Sequence, residues 1–519
     1  MFFKPRLPLL RFLSCCILTV LLAGGCGDTM GDSDEGKTLA LAHCGSCHLF
    51  PEPSLLPKSI WRQKVLPNMA ARMGFPMGNP YKNLRPEDIE LVTNAHIIPE
   101  KQTLSEADML KIVAYYENNA PEHPLPQTRE QFPESTLLQY FVPRPLSAQS
   151  LSSKNILLKS TAGATPNLLM GFEDKGVWLF QPNKGAAKQI ANLPAVDARW
   201  FDQALYLLDI RQVQAYNLPI GHLWEMQWQN NQPVGTPKIL VDSLTRPVSM
   251  DVSDLNADGK PDFAIAEFGD YLGRLSLHLS TREGGYQQQV LKNAPGACKV
   301  FFRDLNADQR TDLLVLMSQG REEICVFYNT GGPDLFREQA IAAFPPSYGS
   351  NALEITDLNR DGHPDILMTN GDNADISSSL KAYHGVRYFE NDGRGNFEQR
   401  WFYPMHGASA VTAADFDLDG DLDVAALAHF PDFRQKNTEN FLFFQNDGAG
   451  HFKPMCLPTP LNGRLLALEK LDVDGDGDED LLIGSYLDQL TKPGIDTYAQ
   501  WQKEARDCWL LENQTLPQK

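Results

Sequence analysis

The sequence predicts a multi-domain chain: a small all-α domain followed by an all-β propeller of seven blades. Three observations predict it. A Cys-x-x-Cys-His cluster, Cys44-Gly45-Ser46-Cys47-His48, opens a stretch of helical periodicity that ends near residue 120. A proline-rich run then extends from Pro121 to Pro133 and has the composition of an extended linker. After it, one nine-residue aspartate pattern recurs five times at a period of about 54 residues, the mark of a repeated supersecondary unit. The divisions are 1–25 for a leader, 26–36 for a tether, 37–120 for the helical domain, 121–150 for the linker and 151–516 for the propeller.

The leader comes first in the chain. Lys4, Arg6 and Arg11 precede an apolar run from Phe12 to Ala23, which has signal-peptide rather than membrane-span length. Leu22-Ala23-Gly24-Gly25-Cys26 follows and resembles a bacterial lipobox, with Cys26 as the lipidated residue and Ala23 where a larger aliphatic is usual. The expectation is a protein of the bacterial cell envelope, lipid-anchored and facing the periplasm or the exterior. An ordinary cleaved secretory signal is the competing reading. The formal charge of −19 argues against nucleic acid as a partner.

In Cys44–His48, each thiol can add to a haem vinyl group, and the adjacent imidazole then falls beneath the iron as proximal ligand. A half zinc site or redox dithiol would want a second Cys-x-x-Cys pair or a βαβ context, and neither is present. Helical spacing is expected over Glu35–Ala42, over Ser59–Met73, and over a third helix capped by Ser105 that stops near Asn119. The pattern resembles a small monohaem class I cytochrome c, whose first and last helices pack together. Trp61 through Val65-Leu66-Pro67-Asn68-Met69 is similar to a helix of cytochromes fused to bacterial propellers, and that resemblance implies Met69 as distal iron ligand. Met73, Met77 and His96 remain alternatives.

Nine cysteines are present; with Cys15 and Cys16 in the leader, Cys26 lipidated, and Cys44 and Cys47 on haem, four are left. An oxidising compartment permits Cys298–Cys325 and Cys456–Cys508 disulfides, with buried free thiols as the alternative.

The five aspartate loops carry oxygen ligands at positions 1, 3, 5 and 9, the donor set of a hard cation such as Ca²⁺. They are Asp254, Asn256, Asp258 and Asp262; Asp304, Asn306, Asp308 and Asp312; Asp357, Asn359, Asp361 and Asp365; Asp415, Asp417, Asp419 and Asp423; and Asp472, Asp474, Asp476 and Asp480. Position 6 is glycine, as a turn with positive φ requires, except at Gln309, so the second loop should bind most weakly or stay empty. An EF-hand would need glutamate at position 12, but Ile265, Val315, Met368, Ala426 and Ile483 stand there and lead into buried strands. Asp-Gly hairpins at Asp392-Gly393 and Asp447-Gly448 complete units of four short strands. These motifs resemble the FG-GAP and VCBS repeats of bacterial surface proteins and of the integrin α propeller, over residues 246–516. Residues 151–245 lack the aspartates but read as strands for two further blades. The strand Cys508–Asn513 belongs to the last.

Strand alternation puts the aspartate loops and Asp-Gly hairpins on one face and the second-to-third connections on the other. Those grow long at 371–387, 429–440 and 486–506, and long loops often carry function. Asp372, His384, His429, Asp432, Tyr486 and Trp501 are the candidate contacts there, unless these loops cover the haem domain. The expected function is single-electron transfer by one covalent haem, on a propeller holding up to five Ca²⁺ and docking a redox protein, small molecule or glycan. A haem-containing dehydrogenase with substrate or organic cofactor on the propeller face is the alternative, and a glycan-binding surface lipoprotein is another. No catalytic residue is expected: neither a Ser-His-Asp nor a zinc signature is present.

Overall fold

The structure, a computed structural model, describes residues 29–76, 79, 81–82, 84–146, 151–161, 167–332, 334–373, 379–435, 439–487, 495–504 and 506–516. The leader, Cys26 and Met77 lie outside the described residues.

Short helices come first. α1 (Thr29–Cys44) runs into the Cys-x-x-Cys-His motif. The helix expected over Ser59–Met73 is α2 (Lys58–Ile60), a π turn at Trp61–Val65, and α3 (Leu66–Arg72). α4 (Pro86–Asn94) was not foreseen. α5 (Glu106–Asn119) begins at the expected cap, where Ser105 Oγ accepts the Asp108 N–H at 3.1 Å. Ala40, Leu56, Trp61, Leu66, Ile112, Tyr115 and Tyr116 bury one apolar cluster between these helices. α1 and α5 approach closely at Gly36, where a Cβ would stand 2.6 Å from Lys111 O.

Seven four-stranded antiparallel sheets follow, as the repeat period requires. Blades 1 to 6 span 155–191, 195–245, 247–292, 297–344, 350–404 and 408–455. Each lays down its strands from first to fourth in spatial order. Blade 7 takes Leu465–Leu471, Asp480–Ser485 and Cys508–Asn513, and its fourth strand comes from the other end of the chain. Phe141–Pro145 pairs antiparallel with Cys508–Asn513, Phe141 opposite Asn513 and Pro145 opposite Trp509. The propeller therefore begins ten residues before the expected boundary at 151, inside the stretch assigned to linker. The second strand of a blade is sandwiched between neighbours, so Asp262–Glu267, Asp365–Asn370 and Asp480–Ser485 are buried throughout. That is why they read as continuous apolar runs.

The expected disulfides do not form; Cys298, Cys325, Cys456 and Cys508 are all free thiols. Cys298 and Cys325 sit on the first and third strands of blade 4 with Asp312–Gln319 between them. Cys456 follows the outer strand of blade 6, whereas Cys508 is wholly buried in blade 7. Burial pushes the Cys325 thiol up to about 12 and raises Cys508 as well.

The linker is pinned along its length. Gln127 Nε2 donates to His384 O at 3.0 Å, and both terminal nitrogens of Arg129 bond Glu439 at 2.7 Å. Glu134 then bridges Met455 at the edge of blade 6.

Candidate functional site

A pocket with roughly 570 Å³ of empty space, part of it open to solvent, lies within the helical cluster. The end of α1 and the turn after it supply Cys44 and His48, and α3 with its C-cap supplies Met69 and Met73. Leu56, Trp61, Val65, Leu66, Met109 and Ile112 give it apolar walls, and Pro51 and Tyr116 complete that side. The two aromatic residues are anchored: Trp61 Nε1 donates to Pro53 O and Tyr116 Oη to Pro51 O, each at 2.9 Å. Their rings pack 4.3 Å apart.

His48 Nδ1 lies 3.0 Å from Leu49 O, so with its proton on Nδ1 it donates there and keeps Nε2 for a ligand. Burial lowers the His48 pKa, which favours the neutral ring. Burial also pushes the Cys44 thiol up to about 11. Cys47 is exposed and is not among the residues that line the pocket. Two thiols, an imidazole with one nitrogen free, two thioethers and an apolar wall are a donor set that fits a covalently attached haem. Of the four distal candidates, Met69 and Met73 line the pocket. His96 is exposed and is not among its lining residues. Two lining residues, Pro346 and Ser347, come from the connection between blades 4 and 5, and nothing in their local sequence marks them.

The helices rest on the propeller face that carries the second-to-third connections. Asp88, 1% exposed, accepts the Asn217 N–H at 3.0 Å. Arg72 lies over the Tyr271 ring at 5.4 Å, and Tyr383 Oη reaches Leu55 O at 3.3 Å. Most of the long-loop candidates point inward. His384, His429, Tyr486 and Trp501 are buried; Tyr486 Oη donates to Glu173 at 2.9 Å, His429 Nδ1 sits 3.0 Å from Leu465 O, and Trp501 packs edge-on against Phe433. Asp372 O accepts Lys381 Nζ at 3.3 Å. Asp432 pairs with Arg434 and lines a small pocket with His406, Pro431, Gln435 and Glu439.

The five aspartate loops close the opposite face. In the first three, the position-1 carboxylate accepts the N–H groups of positions 5 and 6, as Asp254 does from Asp258 at 3.0 Å and Gly259 at 2.8 Å. Carboxylate oxygens of Asp415, Asp417 and Asp419 lie within 4.8 Å of one another, as do those of Asp472, Asp474 and Asp476, and either trio could hold a cation. Position 6 has positive φ throughout, including Gln309 at 65°. Position 4 is left-handed too, in Ala257, Ala307, Arg360 and Leu418, which the glycine rule does not reveal. In the second loop the Arg310 guanidinium bonds Asp308, a position-5 ligand candidate.

Position 9 has a further task. Asp262, Asp312, Asp365, Asp423 and Asp480 are buried, and each accepts two backbone N–H groups, one from loop position 2 and one from the end of the third strand. A carboxylate oxygen has two lone pairs, so this clamp leaves capacity for a metal. In blades 4 to 7 the strand-end donor is itself an asparagine, Asn329, Asn391, Asn446 or Asn513, whose side-chain oxygen caps the following turn.

The FG-GAP-like repeat family model matches residues 304–368 and 370–426, which are blades 4 to 6 in large part. No curated protein matches the chain in sequence. Among solved structures, the chain is similar to BBS1N in its complex with ARL6DN, soaked with lead, at 11% identity and TM-score 0.40, covering 68% of this chain and 95% of that one. It is also similar to a putative 6-phosphogluconolactonase from Bacteroides uniformis at 13% identity and TM-score 0.40, covering 60% and 85%. The chain carries FG-GAP-like repeats within a seven-bladed β-propeller, and a helical pocket lined by a thiol, an imidazole and two thioethers rests on one face of it.

Proposed function

We propose that the protein is a c-type cytochrome that transfers single electrons from a lipid-anchored position in the bacterial cell envelope. One observation carries the reading: Cys44, His48, Met69 and Met73 converge on a single apolar pocket. Cys44 and Cys47 would hold the haem through thioethers, His48 would be proximal ligand and Met69 distal, with Met73 its rival. When bound, haem would supply one-electron redox chemistry. The chain orients the imidazole through Leu49 O, and Trp61, Leu66 and Ile112 would keep water from a group bound in the pocket. Cys26 would carry the lipid. Up to five Ca²⁺ would stiffen the propeller, which would serve to dock a redox protein or ligand.

Purified, export-competent protein should carry one haem per chain that survives acid–acetone extraction. Cys44→Ser with Cys47→Ser should lose it. A wild-type protein without covalent haem would sink the proposal.

A further inference from the structure

The helices alone do not close the pocket. Its remaining wall is Pro346 and Ser347, from the connection between blades 4 and 5. That connection is held from several sides. Glu322, 2% exposed, accepts the N–H of Gly349 at 2.8 Å, the N–H of Ser350 at 2.9 Å and the Ser350 hydroxyl at 2.7 Å. The Tyr348 N–H donates to Pro345 O at 3.0 Å and closes a turn around residues 346 and 347. The Tyr348 ring stacks on Tyr383 at 4.3 Å, and Arg387 lies over Phe344 at 5.5 Å and Tyr348 at 5.4 Å. Gly349 has φ +64°, and a Cβ there would stand 2.4 Å from Asp372 O, so the turn demands glycine. Tyr383 in turn reaches Leu55 O, next to Leu56 of the pocket wall.

Ser347 sits at the end of this support. It is 4% exposed and lies close enough to Tyr383 to offset part of the rise that burial gives that phenol's pKa, yet among the described residues no group meets its hydroxyl at hydrogen-bond distance and angle. Buried hydroxyls in native proteins are nearly always paired, so one left open at the edge of a cavity points to a bound group.

We propose that the propeller completes the haem site: Pro346 and Ser347 form its last wall, the Ser347 hydroxyl offers the haem a hydrogen bond, and Glu322 is the positioning residue that holds both. The inference rests on the haem reading above. Ferric haem carries one more positive charge than ferrous haem, so a wall that excludes water favours the reduced form and raises the potential.

The test is a potentiometric titration of full-length holoprotein. Pro346→Gly with Ser347→Gly should keep its haem while the reduced-to-oxidised ratio at a fixed ambient potential falls at least tenfold, which is ~59 mV for one electron. Ser347→Ala, which leaves the backbone and Pro346 intact, should shift the same way by less and decides the matter if the double variant does not fold. Glu322→Gln should also lower the potential, although it lines no part of the pocket. A loss of stability at unchanged potential would remove Glu322 from the proposal. Full haem content with wild-type potential in the Ser347 variants would overturn it. Absence of haem from the wild type is a different result, which sinks the parent reading and this inference with it.

Discussion

Asp480 Oδ1 accepts the backbone N–H of Asn513 at 2.7 Å, which ties the last aspartate loop to the strand that receives the N-terminal closing segment. Its Oδ2 takes the Val473 N–H at 2.9 Å, and the side chain is 1% exposed. Asp480→Ala should therefore leave two buried donors unpaired. The expected loss is about 2–5 kcal/mol, read as a lower urea midpoint at unchanged m-value. A loss below ~0.5 kcal/mol would show that the clamp is dispensable.

The same burial sets a pH dependence. Desolvation raises Asp423 and Asp480 to about 7, against an ordinary value near 3.8. Between those limits the folded, metal-free protein binds more protons than the unfolded chain, so its stability falls as pH rises from about 4 to 7. Calcium held by these loops, as proposed above, would favour the ionised carboxylates and should reverse the slope. Urea midpoints at pH 5 and pH 7.5, in chelator and in excess calcium, check both signs.

The second aspartate loop holds Gln309 in a left-handed conformation and sets Arg310 against Asp308. Gln309→Gly should stabilise the protein by about 0.5–1 kcal/mol. On the calcium proposal, Arg310→Ala should raise calcium stoichiometry by one ion, because it removes a built-in cation from the Asp308 carboxylate. Calorimetric titration of the wild type and both variants distinguishes the two effects.

Met69 and Met73 both reach the pocket. The thioether–iron charge-transfer band of the oxidised protein should vanish in Met69→Ala and survive in Met73→Ala. The reverse pattern would exchange their roles.

Arg129, with a side chain 9% exposed, bonds Glu439 through two nitrogens and lies 5.3 Å from the Tyr403 ring centroid. Arg129→Ala leaves Glu439 without this partner and should cost about 2–4 kcal/mol. It should also expose residues 121–136 to proteolysis. A linker as protease-resistant as the wild type would show that the other contacts suffice.

The aspartate loops were legible because their chemistry repeats in register, and five copies make a period that one cannot. The Ser105 cap was legible for a similar local reason. Phe141-Val-Pro-Arg-Pro145 was not. Two prolines in five residues read as linker, and they are tolerated only because this is an outer edge strand. Its partner lies more than 360 residues away, so no local pattern announces it. The position-9 aspartates were read as ligands alone, since spacing shows which atoms can meet a cation but not which backbone N–H groups meet them first. Ser347 was invisible because its neighbours in the pocket, apart from Pro346, come from a segment more than 200 residues earlier.

The closing strand also fixes an order of assembly. Residues 141–145 leave the ribosome more than 360 residues before the edge they need, which is made of residues 508–513. The ring cannot shut until residue 513 exists, so the helical segment with Cys44 and Cys47 is complete long before the platform beneath it. Any chemistry on those thiols has a window in which the pocket still lacks its propeller wall. The place of one strand in the sequence thus sets when that window closes.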